Sequence, residues 1–188
     1  NVSSCVLDWN GTSYDMDVYN DDGNSWTNYT LTSLSNGEYS YNVTCNDTAL
    51  NENVSETITL NVNALPVTIS SRISPETPSI SDDLIGYCNA TDADGNDITY
   101  SWGWFKNDVL NISGTEAGSH TQGIEVNVHN LLSGNTSKGE TWTFSCLAYD
   151  GIANASSWQN DSVVIGNTAP SFDESLDNQT VYTGNSLT

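Results

Sequence analysis

Positive charge is almost missing from this sequence: three Lys and Arg side chains stand against 24 Asp and Glu, a formal net charge of -21 over 188 residues. A chain this acidic has no means of neutralising phosphates, which excludes nucleic-acid binding. Long apolar runs are missing too. No stretch of about 18 consecutive apolar residues is present, so no membrane-spanning helix is expected, and no basic-then-apolar leader opens the sequence. The first residue is Asn1 rather than Met, and the expectation is a processed chain or a piece of a longer one. Charged residues of both signs reach only 14%, against roughly 25% in an ordinary soluble protein. Other groups must therefore wet the surface.

Amides and hydroxyls fill that role: 24 Asn, 25 Ser and 21 Thr make up more than a third of the chain. Six Trp, nine Tyr and three Phe add enough apolar mass for a core, which excludes global disorder. Asn-x-Ser/Thr with a non-proline middle occurs twelve times, at Asn1, Asn10, Asn28, Asn42, Asn46, Asn53, Asn89, Asn111, Asn135, Asn154, Asn160 and Asn178. Composition alone would place about six such triplets. The excess points to N-linked glycans as a solvating, protease-resisting coat. The alternative is that Asn and Thr simply suit turns and strand surfaces.

Cys5, Cys45, Cys88 and Cys146 are spaced by 40, 43 and 58 residues, and no C-x-x-C is present. That spacing fails zinc-ribbon and thioredoxin-type readings. Two long-range disulfides, Cys5 to Cys45 and Cys88 to Cys146, would each staple one domain and contribute about 4 kcal/mol by loop-closure entropy. They require an oxidising, extracytoplasmic compartment; buried free thiols are the other reading.

Strand-like alternation recurs along the chain and no segment sustains a helical period, so the fold class expected is all-β, with tandem immunoglobulin-like β-sandwiches. Residues 1–63 form a first unit. Cys5 to Trp9 runs into Asn10-Gly11, a strong hairpin signal, and Tyr14 to Tyr19 returns. Asp21-Asp22-Gly23-Asn24 turns again, Trp26 to Leu34 is expected as a strand, Tyr39 to Cys45 alternates, and Thr57 to Val62 closes the unit. Residues 64–66 are a linker. Residues 67–166 form a second unit with strands at Asp83 to Thr91, Asp97 to Lys106, Gln122 to His129 (Ile124, Val126 and Val128 on one face), Glu140 to Tyr149 and Trp158 to Ile165. Cys88, then Trp102, then Cys146 is the spacing in which an indole of the third strand lies on an inter-sheet disulfide. Residues 167–188 are a linker and the opening strand of a further domain, or a donor strand for a neighbour. The first unit lacks its opening strands, which leaves an edge for strand addition.

Cys5-Val6-Leu7-Asp8-Trp9-Asn10-Gly11 together with Gly37 to Cys45 resembles the immunoglobulin-like repeats of archaeal and related microbial cell-surface glycoproteins. Cys88 to Asp97, followed by Ile98-Thr99-Tyr100-Ser101-Trp102, is similar to the polycystic-kidney-disease-type and cadherin-like repeats of the same proteins. Asn167-Thr168-Ala169-Pro170 and Asn178 to Tyr182 look like the start of one more. The resemblance covers most of the chain and implies a tandem-repeat secreted protein: a stalk, adhesin, surface-layer component or filament subunit.

Sites of chemistry are few. Asp92, Asp94 and Asp97, with Asn96 between them, offer hard oxygens of the kind calcium takes, and Asp150 is placed to join from a neighbouring loop. The competing reading is a solvated turn, because the spacing is not that of an EF-hand. Asp21 to Asn24 reads as a turn alone. His120 and His129 lie about 30 Å apart along an extended chain, too far to share a metal. No nucleophile elbow, zincin motif or phosphate loop is present, so no enzyme activity and no required cofactor are expected. Lys106 and Lys138 make side-chain amide crosslinks only a remote reading. Trp102, Trp104 and Trp142 are expected in the core; Trp9, Trp26 and Trp158 lie near turns, where they pack on sheet edges or stack on sugar. The expectation is a structural, glycosylated extracellular protein of a surface filament, pilus-like fibre or stalk, partnered by copies of itself. Its competitors are an adhesin for glycans or surface proteins, and spacer modules of a larger secreted enzyme.

Overall fold

The computed structural model describes residues 1–168. Among them are thirteen strands and one 3-10 turn at Ser133–Asn135. Residues 2–62 make one antiparallel sheet from β1 (Val2–Trp9), β2 (Thr12–Asp21), β3 (Asn24–Asn28), β4 (Gly37–Asp47), β5 (Glu52–Val54) and β6 (Ile58–Val62). The order is β3-β2-β1-β4-β5, with β6 beside β5 on the same edge of β4. Its hairpins follow from turn chemistry. Asn10 and Gly11 have φ of 50 and 76°, and Asp22 and Gly23 have 43 and 84°, the paired positive angles that a two-residue hairpin loop needs and that Asn, Asp and Gly tolerate.

The expected strand from Trp26 to Leu34 is shorter than predicted: β3 ends at Asn28, and residues 29–36 leave the sheet. The β2–β3 register stops at Asp17↔Asn28, although β2 runs on to Thr12. Tyr29 instead turns onto Tyr14, ring centroids 5.0 Å apart, and Leu31 and Leu34 line the cleft over the sheet's apolar face.

Residues 67–164 build two facing sheets. One holds β7 (Val67–Ser74), β8 (Leu84–Thr91) and β11 (Val126–Leu131) in the order β11-β8-β7. The other holds β9 (Thr99–Lys106), β10 (Val109–Thr115), β12 (Thr141–Tyr149) and β13 (Gln159–Val164) in the order β10-β9-β12-β13. Strict alternation points Leu84, Cys88 and Ala90 inward from β8, Tyr100, Trp102 and Trp104 from β9, and Trp142, Phe144, Cys146 and Ala148 from β12. Cys88–Cys146 ties the second of these seven strands to the sixth across the core, Cα atoms 6.5 Å apart, and Trp102 is the cross-strand neighbour of Cys146. This is an immunoglobulin-like sandwich, and the chain is all-β as expected.

Two local departures matter. Ile124 is 57% exposed, because Gly123, with φ +78° and its N–H on the Ala90 carbonyl at 2.7 Å, still belongs to a turn; the strand starts at Val126. Then a bulge between Asn127 and His129 sets His129 opposite Gly86. One extra residue reverses the inside–outside parity, so a histidine expected on the outer face enters the core layer.

Gly86 itself is required. A Cβ there would lie 2.6 Å from the Phe144 ring, and that ring is held against Trp104 at 4.7 Å. Gly86→Ala is therefore expected to destabilise the sandwich by about 1–3 kcal/mol through overpacking, read as a lower urea midpoint at unchanged slope.

Candidate functional site

The feature that sets the two halves of the molecule apart is the open face of the first sheet. Period-two alternation puts Asp8, Asp15, Asp17, Asn42 and Asn46 on one side, and Cys5, Leu7, Trp9, Met16, Tyr41, Val43, Ile58 and Leu60 on the other. No second sheet covers that apolar side among the described residues. Only Cys5 and Leu7 are fully buried there, while Ile58, Leu60 and Tyr29 stay about 40% exposed. In the sandwich, by contrast, Trp104, Trp142 and Phe144 are wholly enclosed. Residues 29–36 roof part of the face and leave a cleft of about 420 Å3, lined by Leu7, Trp9, Met16, Tyr41, Val43 and Leu60. Trp9 lies stacked between Tyr39 at 5.0 Å and Tyr41 at 5.6 Å, so its indole serves the sheet. Trp26 is on the polar side, stacked on Tyr19 at 5.8 Å and 53% exposed.

The first disulfide belongs to this sheet. Cys5 and Cys45 are register partners on neighbouring strands, with Cα atoms 4.1 Å apart. It locks β1 to β4, in contrast to Cys88–Cys146, which joins two layers.

The acidic loop serves the connector between the halves. Asp92, 7% exposed, accepts the N–H groups of Asp94 and Asn96 on Oδ1. Asp94 accepts the Asn36 amide at 3.1 Å and the Ala64 N–H at 2.6 Å. Asp150, 4% exposed, accepts the Ile152 and Ala153 N–H groups and, on its other oxygen, the Asn63 amide at 2.9 Å. Burial pushes the Asp150 carboxyl up, but the Ala153, Asn63 and Ile152 donors outweigh it and hold it below the ordinary 3.8. Asp97 is exposed. Asp92, Asp94 and Asp97 are not brought together: among the described residues no group of three or more His, Cys, Asp or Glu side chains is placed to hold a metal ion. Asp92 Oδ2 and Asn96 Oδ1 are buried without a partner. A cleft of about 450 Å3 opens at this junction, lined by Glu38, Asn61, Asn63, Asp94 and Asn96.

The two histidines have separate partners. His120 Nε2 meets Glu116 at 2.7 Å. His129 accepts the Trp104 indole N–H on Nδ1 at 3.0 Å and stacks on Trp102 at 3.7 Å; burial holds its pKa below the ordinary 6.5. Lys106 pairs with Glu140 at 2.6 Å, and Lys138 is exposed.

Of the sequon asparagines, Asn1, Asn10, Asn28, Asn53, Asn111, Asn135, Asn154 and Asn160 are exposed. Asn42, Asn46 and Asn89 are half-buried, and the Asn89 side-chain oxygen is buried without a partner. Asn10 spends its side-chain oxygen on the Ser40 N–H at 2.7 Å. Asn178 and the whole expected donor segment lie outside the described residues, as does most of the 167–188 linker. No helix among the described residues is long and apolar enough to cross a membrane.

No protein-family model matches the chain, and no curated protein matches it. Among solved structures it is similar to the fibronectin(III)-like modules of Clostridium thermocellum CbhA, with TM-score 0.36 and 14% identity over 94% of this chain and 84% of that one. It is also similar to the amphioxus IgVJ-C2 molecule, with TM-score 0.32 and 16% identity over 88% of this chain and 90% of that one. Both likenesses are loose. The immunoglobulin-like description rests on the strand order, the inter-sheet disulfide and Trp102 of residues 67–164 themselves.

Proposed function

We propose that this chain is a non-enzymatic, glycosylated, extracellular structural module that assembles with copies of itself into a surface filament, pilus-like fibre or stalk. The observation that carries the proposal is the one-layer sheet of residues 2–62, whose apolar face is left partly open. Aliphatic and aromatic side chains left in water cost about 25 cal/mol per Å2, so a covering partner gains what the sheet cannot gain alone. Both disulfides and the sequon density favour an oxidising, secretory setting. The partner is a neighbouring copy, whose segment from Gln179 to Leu187 adds as a strand at the open edge of the sheet and so brings that copy over the apolar face. With a charge of -21 on each copy, apolar and main-chain contacts must drive the association, and added salt strengthens it by screening.

Sedimentation velocity tests this. The 188-residue chain is expected to form multi-subunit species. Removal of residues 171–188, or Leu60→Asp on the apolar face, is expected to leave a folded monomer with both disulfides intact. A parent chain that stays monomeric at high concentration, or a shortened chain that assembles as well as the parent, overturns the proposal.

A further inference from the structure

On the outer face of the four-stranded sheet, a groove of about 420 Å3 runs across all four strands. Its floor is a register row of small residues: Asn160 pairs Ser145, Ser145 pairs Gly103, and Gly103 pairs Ser113. Trp158 and Phe105 stand beside that row as its aromatic walls. Ser145 is 6% exposed, and Trp158 is 47% exposed. Three strand spacings make the row roughly 14 Å long, the length of a short oligosaccharide. No charged side chain lines the groove, although the protein as a whole carries 24 carboxylates. Hydroxyls, a glycine floor and ring faces in a neutral trough suit a neutral polyol with apolar C–H faces, and suit neither a cation nor an anion.

One lining residue says where that polyol comes from. Asn160 opens the sequon Asn160-Asp161-Ser162, is exposed, and stands at the end of the row two residues after Trp158, which places the two on one side of the chain. We infer that Asn160 carries an N-linked glycan whose first sugars fold back into this groove and stack on Trp158. The glycan thereby becomes a fixed part of the sheet surface, covers Phe105 and Trp158, and blunts the outer face of the sandwich against unwanted contacts. Attachment through the Asn160 side-chain nitrogen pays the translational cost of binding in advance, so modest stacking suffices to hold the sugar in place. This inference rests on the glycosylation part of the proposed function and is independent of self-assembly.

The test uses the chain secreted from a eukaryotic host that adds N-glycans beginning with N-acetylglucosamine, beside Trp158→Ala and Asn160→Gln made in the same way. Glycopeptide mass spectrometry reads occupancy at each sequon. Thermal unfolding and the proton spectrum of the sugar then read docking. The expected result is an occupied Asn160, sugar C–H resonances displaced upfield by the indole ring, and a fall in Tm of about 2–4 °C on Asn160→Gln. In the Trp158→Ala background the displacement disappears and Asn160→Gln no longer lowers Tm. Other sequons occupied with Asn160 empty overturns this inference and leaves the glycoprotein reading standing; no occupied sequon overturns both. An occupied Asn160 whose sugar resonances sit at their free positions, with equal Tm effects in the two backgrounds, overturns docking alone.

Discussion

Trp104→Ala is expected to cost about 3–5 kcal/mol, the range for deleting a fully buried indole. Trp104 has no exposed surface and touches the Phe144 ring at 4.7 Å and the Trp142 ring edge-on at 6.5 Å. It also donates to His129 Nδ1 at 3.0 Å. The two roles separate experimentally. Trp104→Phe keeps much of the ring contact but leaves His129 Nδ1 without its donor, a loss of about 1–3 kcal/mol. The same pair gives the fold an acid limit. Nδ1 accepts the indole N–H only when it carries no proton, and burial lowers the His129 pKa below its ordinary 6.5. A folded pKa below the unfolded one means that the contribution is fully present above pH 6.5, declines as pH falls past that value, and is gone below the folded pKa. Urea midpoints at pH 7.5, 6.5 and 5.5 are expected to fall progressively for the parent. In Trp104→Phe the decline is expected to be shallower, since the indole no longer favours the neutral ring. An identical slope in both would remove the indole–imidazole bond from the explanation.

Loss of the inter-sheet disulfide has an effect of the same order. Cys88 and Cys146 are 58 residues apart, and closing a loop of that length removes about 4 kcal/mol of denatured-state entropy. The paired substitution Cys88→Ala and Cys146→Ala is expected to lose that amount in denaturation. Loop length alone assigns Cys5–Cys45, at a separation of 40, nearly the same value. Burial distinguishes them. Both sulfurs of the second bridge are in the enclosed core, whereas Cys45 is half-buried in a one-layer sheet. Reductant reaches a bridge through local opening, and opening is cheaper where less apolar surface is enclosed. Under mild reduction with a trapping alkylator, label is expected at Cys5 and Cys45 well before Cys88 and Cys146. The reverse order would mean that the first sheet is the more protected part.

How much of this was legible beforehand depended on periodicity. β8, β9 and β12 alternate without interruption, so their inward residues, the second cysteine pair and the role of Trp102 are readable from sequence. β7 and β10 are not, because bulges near Thr68 and Asn111 break their alternation. Thr68 is buried, with its hydroxyl on the Ala148 N–H, while its neighbour Ile69 is 50% exposed, the opposite of what hydropathy suggests. The His129 bulge is hidden for the same reason. The candidate sites depend on longer-range placement. That Asp94 and Asp150 grip Ala64 and Asn63, and that Asn160 ends a row beginning at Ser113, follows from register and chain path, which local composition does not encode. In the first sheet, alternation showed which side chains share the apolar face, though not that its disulfide would lie between adjacent strands.

The most direct test of a self-assembling structural module is electron cryomicroscopy of the native assembled protein. The predicted map is a continuous fibre in which a strand traced to a neighbouring subunit pairs with the open edge of the first sheet and that subunit lies over Leu7, Val43 and Leu60, with added density on exposed acceptors such as Asn111 and Asn160. Separate rods, in which that face is bare or is covered by the subunit's own chain, would contradict it.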